Sequence, residues 1–111
     1  MLQLNITETE RCALEELIID IKKDWPFAKF KLFGSKAKGI ADEESDLDLL
    51  ILLPCFVTDE IRREIVHRVF NINLNYGTNI SVIIVPEEEW AKAPLSLLPI
   101  YAFIEEEGIS L

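Results

Sequence analysis

The sequence predicts an α/β (α+β) fold, a small mixed β-sheet with helices packed against it, as a single domain over residues 1–111. Three strand-length apolar runs alternate with segments of helical periodicity, most of which end at a proline or a glycine. The connector between the first two runs is too short for a covering helix, so antiparallel pairing is expected there. A long helical segment joins the second run to the third, which favours a parallel crossover.

A capped amphipathic helix is predicted over about residues 8–24. Thr7 and Glu10 have capping-box spacing, with Thr9 as a competing cap, and apolar residues then recur at intervals of three and four. The helix ends before Pro26, because the residue that precedes a proline is pushed out of the α region.

The predicted strands cover residues 29–33, 46–53 and 80–85. The second strand is apolar on both faces after its two acids, so we expect it at the centre of the sheet. Residues 36–39, between the first two strands, predict at most a turn or two of helix. After the third strand, the sequence predicts a short helical turn at 87–90 and a last amphipathic helix over 94–107.

A second long helix is predicted from the Thr58 cap to Gly77, with fraying through residues 71–75. Its apolar stripe is expected to face the core and its arginines to face the solvent. The stripe comprises Ile61, Ile65, Val69 and Ile72, and the arginines are Arg62, Arg63 and Arg68. His67, the only histidine of the sequence, is expected at the surface of this helix rather than in a catalytic role.

The composition argues against several classes of function. Although 50% of the residues are hydrophobic, no apolar run approaches the ~18 residues of a membrane span, so a soluble protein without a membrane partner is expected. The formal net charge of −9 argues against duplex nucleic acid as a partner, because sequence-independent binders carry a basic face. Cys12 and Cys55 are no disulfide framework and are expected as buried free thiols; with no secretory signal predicted, we expect a cytoplasmic protein.

Two short motifs stand at the ends of neighbouring predicted strands. Gly34-Ser35 follows the first strand, and after ten intervening residues Asp46 and Asp48 open the second. Side chains at i and i+2 of a strand point to the same face, so the two carboxylates can converge on divalent cations. A Gly-Ser turn that leads into a helix offers backbone N–H groups and the positive end of the helix dipole to a phosphate. Each motif alone is common, but together they predict phosphoryl or nucleotidyl transfer.

This Gly-Ser and Asp-x-Asp pattern resembles the signature of the DNA polymerase β-type nucleotidyltransferases, and among them the minimal nucleotidyltransferases (MNT) of prokaryotes, which include antitoxins. The resemblance covers nearly the whole chain. It implies that Asp46 and Asp48 are catalytic residues that coordinate two Mg²⁺ ions. It also implies that the phosphates of a nucleoside triphosphate, with ATP as the substrate, bind at Gly34, Ser35 and Lys36.

One position departs from the family's pattern. Active members carry a third carboxylate on the next core strand, and the matching residue here is Ser81, a poor metal ligand. Three acids, Glu87, Glu88 and Glu89, follow Pro86 near the end of that strand. The sequence leaves open whether one of them folds back to replace the missing carboxylate.

The resemblance implies transfer of a nucleoside monophosphate, AMP from ATP, to a hydroxyl acceptor such as a tyrosine of a small helical HEPN-type partner in a toxin–antitoxin pair. Ser81 leaves a second hypothesis open, a catalytically weak or inactive antitoxin that neutralises such a partner by contact alone. Whether the chain is an enzyme is thus open, although the intact Gly-Ser and Asp-x-Asp motifs favour the enzyme. A small-molecule (antibiotic) nucleotidyltransferase is a weaker third hypothesis, since such proteins normally have additional C-terminal helices.

Overall fold

The computed structural model describes residues 6–34 and 46–111. The elements in chain order are α1 (Glu8–Asp24), β1 (Lys29–Phe33), β2 (Leu47–Leu53), α2 (Asp59–Tyr76), β3 (Ile80–Pro86), α3 (Glu87–Trp90), a 3₁₀ turn (Leu95–Leu97), α4 (Pro99–Glu107) and β4 (Ile109–Ser110). The short helix predicted at residues 36–39 lies outside the described residues.

The strands form one four-stranded mixed sheet in the order β3–β2–β1–β4. β1 pairs antiparallel with β2, and β2 pairs parallel with β3, as the lengths of the two connections predicted. β2 lies inside the sheet, where its residues 49–53 are buried on both faces. The predicted mixed sheet with helices packed against it is therefore confirmed.

Different helices cover the two faces of the sheet. α1 and α2 cover one face and form the larger core cluster with residues such as Leu49 of β2. α3, the 3₁₀ turn and α4 cover the other face, where Leu50 packs with Trp90 and Ile104. Because side chains alternate along a strand, Asp48 shares its face with Leu50, on the side of the C-terminal helices.

α1 begins and ends at the predicted residues. The Oγ1 atom of Thr7 accepts a hydrogen bond from the N–H of Glu10 at 3.0 Å, and Oε1 of Glu10 accepts one from the N–H of Thr7 at 2.9 Å. This complete capping box makes Thr7, rather than Thr9, the N-cap.

α2 is regular to Tyr76, so the predicted fraying is wrong. Asn73 explains the ordered last turns, because its Oδ1 atom accepts hydrogen bonds from Oγ1 of Thr78 and from the N–H of Ile80, both at 2.9 Å. These bonds join the end of the helix to the start of β3. Gly77 ends the helix with a left-handed φ of +68°, as its position in the sequence predicted.

Arg68 does not face the solvent as predicted. Its guanidinium pairs with Asp24, lies 3.6 Å from the carboxylate of Asp20, and stacks over the ring of Trp25 at 5.3 Å from the centroid. This contact joins α2 to the end of α1. Asp24 lies 44 residues before Arg68 in the sequence, so the local pattern of α2 could not predict this contact.

The C-terminal region is more divided than predicted. The single helix expected over 94–107 is instead a 3₁₀ turn followed by α4, because Leu98 precedes Pro99 and adopts an extended conformation with ψ 142°. β4 was not predicted. Its two residues pair antiparallel with Lys31 and Leu32 of β1, and so short a strand has no readable periodicity.

The structure also bears on two expectations drawn from composition. Both cysteines are free, but Cys12 is half-buried and Cys55 is exposed, so the prediction of two buried thiols is wrong. Cys55 lies in the loop that follows Pro54 at the end of β2, outside the sheet. Within residues 6–34 and 46–111, no helix combines the length and the apolar character needed to cross a membrane.

Candidate functional site

The two acids of the Asp-x-Asp motif lie at the amino end of β2. Asp48 is the second residue of the strand and is half-buried, whereas Asp46 immediately precedes the strand and is exposed. The strand thus begins one residue later than predicted. Asp48 points to the face that the C-terminal helices cover, and Asp46 lies close enough for its charge to act on Asp48.

Asp48 has register partners on both sides in the sheet. Phe33 of β1 lies opposite it on one side and Ser81 of β3 on the other. Because register partners point to the same face, the hydroxyl group of Ser81 lies beside the carboxylate of Asp48, with Cβ atoms about 5 Å apart. The residue next to Asp48 on β3 is therefore the expected Ser81, with a neutral side chain.

Gly34, the residue after β1, lies directly against Asp48. Its φ is +83°, a left-handed conformation that favours glycine. A Cβ atom built on Gly34 would overlap Oδ2 of Asp48 and would lie 3.3 Å from its Cγ. The position therefore requires glycine for two reasons, its left-handed backbone conformation and the lack of space for a Cβ atom. Ser35 and Lys36, the other predicted phosphate ligands, lie outside the described residues.

The electrostatics of Asp48 favour a cation. Burial, followed by the negative charge of Asp46, raises the pKa of the Asp48 carboxyl above its usual range. The ionised pair is thus unfavourable by itself, and a divalent cation between the carboxylates would relieve it. Carboxylate oxygens are also the ligands that Mg²⁺ prefers, so the residues fit the metal that the family resemblance implies.

The described residues offer few further ligands. Within residues 6–34 and 46–111, no group of three or more His, Cys, Asp or Glu side chains is arranged to hold a metal ion. Asp46 and Asp48 are thus the carboxylates on which a metal site in this part of the chain depends.

The three acids after β3 lie at the opposite end of the sheet. Five residue steps of extended strand lead from Ser81 to Pro86, a distance of roughly 17 Å. Glu87 forms an ion pair with Lys29, the residue at the end of β1 far from Gly34. None of residues 87–89 is therefore placed to supply Asp48 with a third carboxylate, which answers the question that the sequence left open.

One contact near the site was not predicted. Oε2 of Glu105 in α4 accepts hydrogen bonds from Nζ of Lys31 at 2.6 Å and from Nε1 of Trp90 at 3.2 Å. The bond from Lys31 is the main cause that lowers the pKa of Glu105. Lys31 and Phe33 share a strand face, so this contact holds α4 on the same face as Asp48. The sequence predicted the alternation of β1, but it could not predict that Lys31 pairs with Glu105, which lies 74 residues further along the chain.

Comparisons with known sequences agree with this geometry. The model of a family described as a nucleotidyltransferase domain matches residues 14–110. A Methanocaldococcus jannaschii protein named "Putative protein adenylyltransferase" is 37% identical over 75 residues, which cover 62% of this chain and 76% of that protein.

Solved structures share the fold. One, described as a toxin–antitoxin with AMP-PNP, matches with a TM-score of 0.56 at 19% identity and covers 86% of this chain and 70% of its own. Another, a mutant of the toxin–antitoxin MntA-HpeT, matches with a TM-score of 0.55 at 20% identity and covers 87% of this chain and 70% of its own. At these identities the likeness shows the fold alone.

Proposed function

This chain belongs to the nucleotidyltransferase domain family, and we propose that it transfers AMP from ATP to a hydroxyl acceptor in a Mg²⁺-dependent reaction. The observation that carries the proposal is the contact between Gly34 and Asp48. Gly34, whose backbone would bind the phosphates, lies directly against an acid that would bind the metal.

Each residue of the site has a role in the proposal. Asp46 and Asp48 would hold two Mg²⁺ ions, and the backbone of Gly34, with Ser35 and Lys36, would bind the terminal phosphates. Bound Mg²⁺ would supply charge neutralisation of the triphosphate and a lower pKa for the acceptor hydroxyl. The acceptor oxygen forms a bond to the α-phosphorus, the bond between this phosphorus and the pyrophosphate oxygen breaks, and the hydroxyl proton passes to water.

The acceptor that we propose is a tyrosine of a small helical HEPN-type protein, with this chain as the antitoxin of a cytoplasmic toxin–antitoxin pair. Two lines of evidence support this assignment. Both solved neighbours come from toxin–antitoxin complexes, one of them with an ATP analogue. The relative from M. jannaschii carries the name of a protein adenylyltransferase, a protein that would use a side chain as acceptor.

A second candidate function is supported by Ser81. The hydroxyl beside Asp48 is a poor metal ligand, and the acids at 87–89 lie at the other end of the sheet. A chain with this site could bind its partner, and even ATP, without efficient transfer. The alternative is thus an antitoxin that acts by contact.

A transfer assay separates the two candidates. The chain is co-expressed with a HEPN-type protein as the candidate partner, and the purified pair is incubated with Mg²⁺ and ATP labelled at the α-phosphate. The proposal predicts label on the partner, loss of transfer in Asp48→Asn, and no label from ATP labelled at the γ-phosphate. If wild type transfers nothing at saturating Mg²⁺ but still neutralises the partner, the contact antitoxin replaces the enzyme.

A further inference from the structure

An apolar groove runs along one edge of the sheet. β3 is an edge strand of the sheet that the described residues form. Beside it, α2 carries Val66, Phe70 and Leu74 at i, i+4 and i+8, and these side chains are 48%, 57% and 66% exposed. Between Phe70 and the first residues of β3 lies a groove of about 350 Å³ that Val82 also lines. Exposed apolar side chains at this spacing are typical of a surface that another protein covers.

The backbone of β3 shows which of its groups face this groove. The N–H of Leu47 donates to the carbonyl oxygen of Asn79 at 2.9 Å, so the backbone of Asn79 faces β2. Backbone groups of successive strand residues point to opposite sides. The N–H and C=O groups of Ile80, Val82 and Ile84 therefore point away from the sheet.

Side chains of α2 already engage most of these outward groups. The carboxamide of Asn73 accepts a bond from the N–H of Ile80 at 2.9 Å and donates one to its carbonyl oxygen at 3.1 Å. Nη1 of Arg62 donates to the carbonyl oxygen of Ile84 at 3.2 Å. Of the three outward-facing residues, only Val82 has neither its N–H nor its C=O group bonded to a side chain of another described residue. Addition of an extended peptide needs several consecutive free groups, so an added strand does not fit this edge.

A docked helix fits this edge of the sheet better than an added strand does. The stripe from Val66 to Leu74 is about 12 Å long, which is the length of two helical turns. A second helix can lay its own ridge of apolar side chains along such a stripe without using the backbone of β3. We propose that this groove, formed by the stripe of α2 and the edge of β3, docks an amphipathic helix of the partner protein. The inference rests on the proposed function, which supplies that partner.

Charge favours a different protein over a second copy of this chain. The helix α2 is neutral, since its acids Asp59, Glu60 and Glu64 balance its arginines Arg62, Arg63 and Arg68. The whole chain carries −9, so two copies repel each other, whereas a neutral or basic partner does not. Three apolar side chains bury far less than the ~800 Å² per partner of a stable interface, so the stripe forms only one part of an interface with any partner.

The groove and the acids of the candidate site lie on opposite faces of the sheet. Ser81 lines the groove and is the register partner of Asp48. The side chains of Ser81 and Asp48 point to the face that the C-terminal helices cover, whereas α2 and the groove lie on the other face, so a docked helix leaves the acids uncovered.

The test uses the co-expressed HEPN-type protein as probe and compares Phe70→Gln and Leu74→Gln with Ile19→Gln. Ile19 is a matched control, because it is 62% exposed and lies on the other long helix, α1. Glutamine keeps the helix propensity at all three positions. We expect each α2 variant to bind the partner about tenfold more weakly than wild type, with an unchanged melting temperature and unchanged ATP binding, and the Ile19 variant to bind as wild type does.

Three outcomes would overturn the inference, and they are distinguishable. If wild type binds the HEPN-type protein and the α2 variants bind it equally well, the docking surface is wrong and the proposed partner stands. If wild type binds no HEPN-type protein, the partner of the proposed function fails and this docking fails with it. If sedimentation shows wild type alone as a dimer and Phe70→Gln as a monomer, a second copy occupies the groove.

Discussion

Replacing Gly34 with alanine tests whether the turn and Asp48 form one site. Alanine at this position has to adopt a φ of +83°, and its Cβ would overlap Oδ2 of Asp48. The overlapped atom is the end of a side chain, so the carboxylate can rotate away and leave the backbone in place. The substitution therefore moves the acid from the turn without unfolding the strand.

The cost in stability comes mainly from the backbone. A residue other than glycine in the left-handed region costs roughly 1–2 kcal/mol. For a chain of this length, a loss of 1 kcal/mol lowers the melting temperature by about 4 °C. We therefore expect Gly34→Ala to melt about 4–8 °C below wild type and to remain folded at 25 °C.

Gly77→Ala is the matched control. Gly77 has a φ of +68°, and nothing lies within 4 Å of a Cβ built on it, so alanine there carries the backbone cost without displacing an acid. Both variants should lose similar stability. In calorimetric titrations with ATP and Mg²⁺, Gly34→Ala should bind at least about tenfold more weakly, because charged interactions of more than 1.4 kcal/mol are lost, and Gly77→Ala should bind as wild type does. Equal affinity of both variants and wild type would refute the reasoning.

Three further predictions concern the acids and Ser81. Burial and Asp46 raise the pKa of Asp48, so ionised Asp48 destabilises the fold. Asp48→Asn should have a higher melting temperature than wild type at pH 7 in EDTA. This gain should vanish below pH 3.8, where the carboxyl is protonated in both the folded and the unfolded state. An equal gain at pH 3 would contradict a raised pKa of Asp48. Ser81→Asp should raise the transfer rate and tighten Mg²⁺ binding, and an unchanged rate would show that a third carboxylate is not limiting. Glutamine at all three of residues 87–89 should leave ATP binding and transfer unchanged, and a tenfold loss would place those acids at the site.

Elements with local signals were predicted closely. The capping residue Thr7 and the breaker Pro26 lie next to the ends of α1 in the sequence, and the predicted bounds match the structure. Thr58 and Gly77 bound α2 in the same way. Local chemistry at these ends fixes the helix termini because a cap or a proline acts within one turn.

Elements that depend on distant contacts were not predictable. β4 exists because two residues pair with β1, and the α2 arginine Arg68 turns inward because acids of α1 lie opposite it. At the site, the family resemblance matched Ser81 to the position of the third carboxylate, and the register places it beside Asp48. The close approach of Gly34 and the remote position of the acids at 87–89 needed the strand register, which sequence periodicity does not supply.

The most direct test of the site is a calorimetric titration of ATP, with and without Mg²⁺, into wild type and Asp48→Asn. The account predicts that wild type binds ATP in a Mg²⁺-dependent way and that Asp48→Asn, folded and at least as stable, does not. Equal binding by both proteins, or no binding by wild type, would contradict the assignment of Gly34, Asp46 and Asp48 to a nucleotide site.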